Sequence, residues 1–353
     1  MEQGASVATV ADGRRRRGTH RRRALRLTQI VVGVVAVGVG MVVVWGHRDE
    51  LRGARSLLEQ LHVPWVVMAA AAELASMVAF AALQKSLLRG GGTDVGLPTL
   101  TAISFAGNAI TNSLPGGPAW GSVFAYRQFR RNGASRALAG WVLIAVSGVS
   151  GATLAALAFG GIELAGNEGP ASGLRVVAIC VLVVAVAVVA LMRRPGALAR
   201  LAERVVSVLQ RRFGRPRGSP AEIVEASRTR LRAVQPDTSD WAAAVGFSML
   251  NWIADCACLC ASFLAVGADV PWRGLLLAYG AAQLAANLPI TPGGLGIVEG
   301  SLALALVAYG GGEDATVAAI VLYRIISFWS LLPIGWLAWA GLEAVGRRRR
   351  EEP

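Results

Sequence analysis

The chain has 353 residues, of which 54% are apolar and 16% charged, with a mean hydropathy of +0.51. A charged fraction so far below the roughly 25% of soluble domains excludes a water-soluble globule, which has no interior large enough for that much apolar sequence. The net charge of +13 invites a nucleic-acid reading; no basic patch interleaved with aromatics supports one, and no nucleic-acid partner is expected.

Taken in chain order, residues 1–26 form a basic tail holding Arg14–Arg17, Arg21–Arg23 and Arg26. The apolar run Leu27–Trp45 follows, close to the ~20 residues that cross a bilayer. It ends in Val44-Trp45-Gly46 rather than small residues spaced for cleavage, so it is expected to stay attached as an anchor. Pro64–Gln84 is a second predicted span, with Glu73 near its middle and Lys85 and Arg89 just after it.

Leu97–Tyr126 is apolar but broken, reading T-N-S-L-P-G-G-P-A-W-G from Thr111 to Gly121. Proline removes a backbone donor and glycine tolerates positive φ, so one continuous helix is excluded. Basic residues flank both ends, hence the segment returns to the side it left. Its arms fall short of a ~30 Å hydrocarbon core, which favours a re-entrant hairpin over two full spans.

Ala137–Gly160 and Leu174–Met192 are further predicted spans, joined by the acidic loop Gly161–Ser172 with Glu163 and Glu168. Residues 193–240 form the sizeable polar connector. Within it Leu198, Leu201, Val205 and Val208 make one stripe of a surface helix, and Ser219-Pro220-Ala221-Glu222 reads as a capping box opening another.

Trp241–Gly267 is a span carrying Asp255 and the triplet Cys256, Cys258 and Cys260. Helical geometry separates Cys258 from the other two and no histidine is near, so packing thiols are expected rather than a metal site or disulfide. Trp272–Tyr309 is a second broken hairpin, reading N-L-P-I-T-P-G-G-L-G from Asn287 to Gly296, and Ala315–Gly346, with Arg324, is the last span. A basic tail, 347–353, ends the chain.

If the spans alternate, 29 of the 35 basic residues fall on one side, the cytoplasmic bias of membrane proteins. The expected fold is therefore an all-α polytopic membrane protein with about six full spans and two re-entrant hairpins, 97–126 and 272–309. It lies in the plasma membrane with both termini cytoplasmic. The membrane halves are 27–192 and 241–346.

These halves mirror one another. Span, hairpin and span recur with opposite orientation, and Pro115-Gly116-Gly117 and Pro292-Gly293-Gly294 lie 177 positions apart, each preceded by an asparagine, Asn112 or Asn287. Interrupted helices at matching positions of an inverted repeat mark a transporter with a site near the membrane midplane.

Within the apolar regions the ionisable residues that stand out are Glu73, Asp255, Glu299 and Arg324. Charges at that depth are costly and usually face a cavity or a partner. Glu299 and Arg324 are expected either to pair or to meet a headgroup, with Arg324 offering its planar donor fork to phosphate. Unwound backbone at Gly293–Gly296 and at the first tip would aim free amides into the same space. No H-E-x-x-H, Walker loop or G-x-S-x-G motif is present, so enzymatic chemistry and cofactors are not expected.

The stretch Pro289-Ile-Thr-Pro-Gly-Gly-Leu-Gly-Ile-Val-Glu299, followed by Tyr323-Arg324-Ile-Ile-Ser-Phe-Trp329 and Pro333, resembles the transmembrane region of the lysylphosphatidylglycerol synthase/flippase family. The resemblance extends from about Gln60 to Gly346. It implies movement of a phospholipid between leaflets, here without the soluble aminoacyl-transferase half that makes the lipid in such proteins. The first hairpin departs from the pattern, with Gly121-Ser122-Val123 where relatives often carry an acid.

The expected function is flippase-like transport of an anionic phospholipid or polyprenyl-phosphate lipid. The expected contacts are Arg324, Glu299, Asn287, Pro292, Gly293 and Gly294 from the second half and Asn112, Pro115, Gly116 and Gly117 from the first. The alternative is a non-transporting scaffold for a cell-envelope lipid synthase or glycosyltransferase.

Overall fold

The computed structural model describes residues 60–114, 116–165, 236–286 and 292–351, together with positions 179, 183, 187 and 190. The anchor Leu27–Trp45, nearly all of Leu174–Met192, the connector to residue 235, the two final residues, and Pro115 and Asn287 lie outside the described residues.

The described chain is helical throughout: α1 (Val63–Gly90), α2 (Leu97–Ser113), α3 (Gly117–Arg131), α4 (Arg136–Ala165), α5 (Thr238–Ala265), α6 (Trp272–Ala286), a 3₁₀ turn (Pro292–Gly294), α7 (Ile297–Ala308), α8 (Glu313–Arg324), a π-helical turn (Ile325–Trp329) and α9 (Leu331–Glu351). Prolines sit in the first turn of α1, α2 and α3, where the missing N–H costs nothing. Helix α5 starts on a reciprocal cap: Asp237 accepts from the Asp240 amide at 2.8 Å, and Asp240 accepts in return from the Asp237 amide. The Ser239 hydroxyl, and then the Asp240 amide, hold the Asp237 carboxyl below the usual range.

Among the described residues, four helices are long and apolar enough to cross a membrane: α1, α4, α5 and the run Glu313–Gly346 formed by α8, the π turn and α9. They coincide with four of the six predicted spans. Their outward faces carry large apolar side chains, such as Leu337 at 74% exposure, as a hydrocarbon solvent permits and water does not.

The other four helices are short. Helices α2, α3, α6 and α7 have 17, 15, 15 and 12 residues, or about 25, 22, 22 and 18 Å of rise, against a ~30 Å hydrocarbon core. Helix α2 packs on α3 and α6 on α7, each pair a hairpin broken at its Pro-Gly element. The second arm of the first hairpin runs to Arg131, five residues beyond Tyr126.

The bases of the hairpins lie at opposite ends of the bundle. Val95, Leu100 and Phe129 share an apolar cluster with Leu88, Leu138 and Trp241, where Arg131 also pairs with Glu343. Leu277 and Tyr309 cluster instead with Ile162 and Ala165 at the far end of α4.

The most extensive packing joins α1 to α5, antiparallel. The His62 amide donates to the Ala265 carbonyl at one end, and Arg89 pairs with Asp240 at 3.1 Å at the other. Helix α2 packs on α9 and α6 on α4, so each hairpin leans on a span from the other half of the chain. These crossings are tight because small residues line them. A Cβ on Gly161 of α4 would sit 2.6 Å from the Leu277 backbone nitrogen, and one on Gly335 of α9 would sit 2.3 Å from the Phe105 carbonyl oxygen.

Gly161→Val is expected to lower the thermal unfolding midpoint in detergent, at a cost of about 1–3 kcal/mol from forced separation of α4 and α6. Gly140→Val, on the same helix with nothing within 4 Å of its Cβ position, is expected to leave the midpoint in place.

Candidate functional site

Every described helix except α9 contributes to one cavity of about 540 Å³, within the ~300–1,000 Å³ usual for small-ligand sites. Of the residues singled out in the sequence, Glu73, Asn112, Gly116, Gly117, Asp255, Gly293 and Arg324 line it. The two broken tips thus share one chamber. A Cβ on Gly293 would stand 3.4 Å from the Asn112 Oδ1.

The first tip is shaped by close approach. Gly116 turns the chain at φ 66°, and a Cβ on Gly117 would fall 1.7 Å from the Thr111 carbonyl oxygen, so any other residue there pushes α3 off α2. Asn112 donates to Asn108 at 2.8 Å within α2.

The second tip is held by charge. Gly293, Gly294 and Gly296 all have positive φ (61°, 68° and 82°), which the P-G-G-L-G spacing supplies without strain. The Arg324 Nε donates to Glu299 at 2.5 Å, its Nη2 donates to the Gly293 carbonyl at 3.2 Å, and its guanidinium stacks 4.4 Å from the Phe328 ring centroid. Glu299 uses its second oxygen to accept from the Gly296 amide at 2.7 Å. The pairing of Glu299 with Arg324, one of the two sequence-based alternatives, is the arrangement observed. The expectation of a free amide at Gly296 is corrected by it, because that N–H is spent on Glu299. Glu299 and Gly294 do not line the cavity. Pro292 contributes backbone to the 3₁₀ turn.

Glu73 and Asp255 face one another across the α1–α5 seam within hydrogen-bonding reach. The antiparallel pairing sets this: Glu73 lies eleven residues after His62 and Asp255 ten residues before Ala265, and those two residues are joined at the helix ends. About one helical turn further along, Ser76 and Asn251 hydrogen-bond at 3.2 Å.

Around Asp255 stand groups that sequence reasoning missed as site residues. Tyr279 donates to it at 2.7 Å, Gln283 at 2.9 Å and Tyr323 at 2.9 Å. The available signal was the i, i+4 spacing of Tyr279 and Gln283, which puts both on one face of a helix whose residues after Arg273 are otherwise apolar or small. The Cys256 and Cys258 thiols are buried in the neighbouring apolar core.

The Glu299–Arg324 pair generates a double-mutant prediction. Glu299→Ala and Arg324→Ala should each lower stability by roughly 2–3 kcal/mol, since each strands a largely buried partner. Thermal unfolding of the double variant should show a loss well short of the sum, with about 1–3 kcal/mol of coupling.

The sequence profile described as "Lysylphosphatidylglycerol synthase TM region" matches residues 29–335. The chain is also similar to proteins named "UPF0104 membrane protein" from Methanothermobacter thermautotrophicus (strain Delta H). One match is 38% identical over 96 residues, covering 27% of this chain and 27% of the relative. Another is 31% identical over 91 residues, covering 26% and 27%. The chain thus matches about a quarter of the length of these relatives. The profile covers both hairpins, three of the four long helices in full and the fourth as far as residue 335, and the cavity between them, and the chain belongs to the family of the lysylphosphatidylglycerol synthase transmembrane region.

Proposed function

We propose that the protein is a flippase-like transporter that moves an anionic phospholipid or polyprenyl-phosphate lipid between leaflets. The observation that carries this reading is the meeting of two broken hairpin tips, based at opposite ends of the bundle, at a single polar cavity. Unwound backbone at membrane depth is tolerated only where it lines protein or water, and transporters place their sites there.

The same reading takes the two halves as an inverted repeat. Helices α1 and α5 start at 63 and 238 (238 − 63 = 175), α2 and α6 at 97 and 272 (272 − 97 = 175), α3 and α7 at 117 and 297 (297 − 117 = 180), and α4 and α8 at 136 and 313 (313 − 136 = 177). Near-constant offsets, together with hairpins that each lean on the other half, support a pseudo-two-fold arrangement. The segments Leu27–Trp45 and Leu174–Met192 would complete six spans. The arginine-rich ends would face the cytoplasm of a plasma membrane by the positive-inside rule.

In this mechanism the headgroup enters the cavity while its acyl chains stay in the bilayer. Arg324 has committed one N–H each of Nε and Nη2 to Glu299 and Gly293, which leaves both hydrogens of Nη1 and one of Nη2 for phosphate oxygens. The glycine tips act as hinges.

The test uses the full chain in liposomes with a phosphatidylglycerol fluorescent in its headgroup, following loss of signal to an impermeant reductant outside. The protein is expected to expose inner-leaflet lipid faster than protein-free vesicles do. Gly293→Val, whose Cβ would fall 2.3 Å from the Phe328 ring, is expected to return the rate toward that of protein-free vesicles. Arg324→Ala with undiminished exchange would remove the phosphate role, and no exchange by the parent protein would leave the scaffold reading.

A further inference from the structure

The carboxyl pair at the α1–α5 seam has no part in holding the tips, and its chemistry is specific. Glu73 is only 5% exposed, and its Oε2 has no hydrogen-bond partner among the described residues although Glu73 lines the cavity. A carboxylate only accepts hydrogen bonds, so two carboxyls that bond to each other must hold a proton between them.

The surroundings decide where it sits. Both Asp255 oxygens already accept: Oδ2 from Tyr279 and Gln283, Oδ1 from Tyr323. That shell of donors suits an anion. Glu73 has no such shell, so a proton held between the two carboxyls belongs on Glu73. The other titratable or charged groups close by are Cys256 and Cys258 on α5 and Arg324 on α8, and the Arg324 charge is matched by Glu299. Helices α2 and α4 face the cavity with neutral groups such as Ser104 and Ser147. A metal cation would need several oxygen acceptors, whereas the groups around Asp255 present two hydroxyl protons and an amide N–H.

We propose that Glu73 and Asp255 form a proton-exchange site that couples lipid movement to a proton gradient, a proposal that rests on the transport reading above. Glu73 releases its proton to water in the cavity when the cavity opens to one side, and regains one from water when it opens to the other. One proton crosses per cycle, and no other bond is made or broken. The unprotonated pair places two anions side by side at membrane depth. That state is tolerated only in a watered, open cavity, and this ties protonation to the side from which the cavity is reached.

The test again uses liposomes with headgroup-fluorescent phosphatidylglycerol, now under imposed pH gradients of either polarity. For the parent protein the two polarities should give rates differing several-fold, and a protonophore should equalise them. In Glu73→Gln and Asp255→Asn the ratio should fall to one whatever the absolute rate, while Glu73→Asp should keep part of it. Infrared spectroscopy of the same membranes gives a second readout: a protonated-carboxyl C=O band present in the parent, absent in Glu73→Gln and retained in Glu299→Gln.

Lipid movement indifferent to pH gradient, a gradient response surviving in Glu73→Gln, or acceleration by a sodium gradient instead would each overturn the proposal. Absence of lipid movement by the parent would overturn the transport reading and the coupling with it. In that case the infrared band alone would still decide whether Glu73 holds a proton.

Discussion

The antiparallel seam between α1 and α5 is the constraint on which the remaining geometry depends. In a hydrocarbon environment a polar side chain on one helix has no water to turn to, so it must meet a partner at its own depth. Along this seam the matching is kept from end to end: His62 with Ala265, Glu73 with Asp255, Ser76 with Asn251 and Arg89 with Asp240. A shift of one residue would rotate each partner by about 100° and carry Glu73 toward lipid or toward apolar core. The register is therefore fixed by polar pairs, while the apolar residues between them, interchangeable in a bilayer, supply packing.

With the seam fixed, the hairpins have limited freedom. Too short to cross, they lie against the long helices, and their tips line the same chamber as the carboxyl pair. The two tips are stabilised by unlike means. The first depends on contact distance, since the Thr111 carbonyl and hydroxyl occupy the volume that a Cβ on Gly117 or Gly121 would need. The second depends on the Glu299–Arg324–Gly293 linkage. The absence of an acid in Gly121-Ser122-Val123 thus corresponds to a structural difference: where the second half ties its tip through a carboxylate, the first half presses two helices together.

Much of this was legible in the sequence. Charge sorting and apolar runs located four of the long helices to within a few residues, because hydropathy and flanking arginines report directly on the bilayer. Pro115-Gly116-Gly117 and Pro292-Gly293-Gly294 located the breaks, because proline and glycine act through local backbone sterics. Glu299 and Arg324 stood out as costly charges and proved to be partners. What the sequence concealed depends on rotation and depth. Nothing local says that Glu73 on one helix and Asp255 on another reach the same level, nor that Tyr279, Gln283 and Tyr323 turn toward Asp255. Helices α1 and α4 carry apolar residues on every side, so no amphipathic face announces which side is buried. The fate of the Gly296 amide was hidden for another reason: a free helix N-terminus and one capped by its own Glu299 share one sequence.

The linkage at the second tip also bears on how a headgroup would act under the transport reading. Arg324 is not an idle cation; its charge is matched by Glu299 at 2.5 Å, and it holds the Gly293 carbonyl besides. A phosphate that took the Nε–H, or the Nη2 hydrogen that Gly293 holds, would displace one of these two acceptors. Displacing Gly293 would release the tip, and displacing Glu299 would free both that carboxylate and the Gly296 amide it caps. Either exchange brings the ligand's negative charge beside Arg324 while the backbone gains freedom. A ligand that trades places with a structural acceptor in this way binds more tightly to the loosened tip than to the closed one, and a difference in affinity between two states is what allows binding to drive a conformational change.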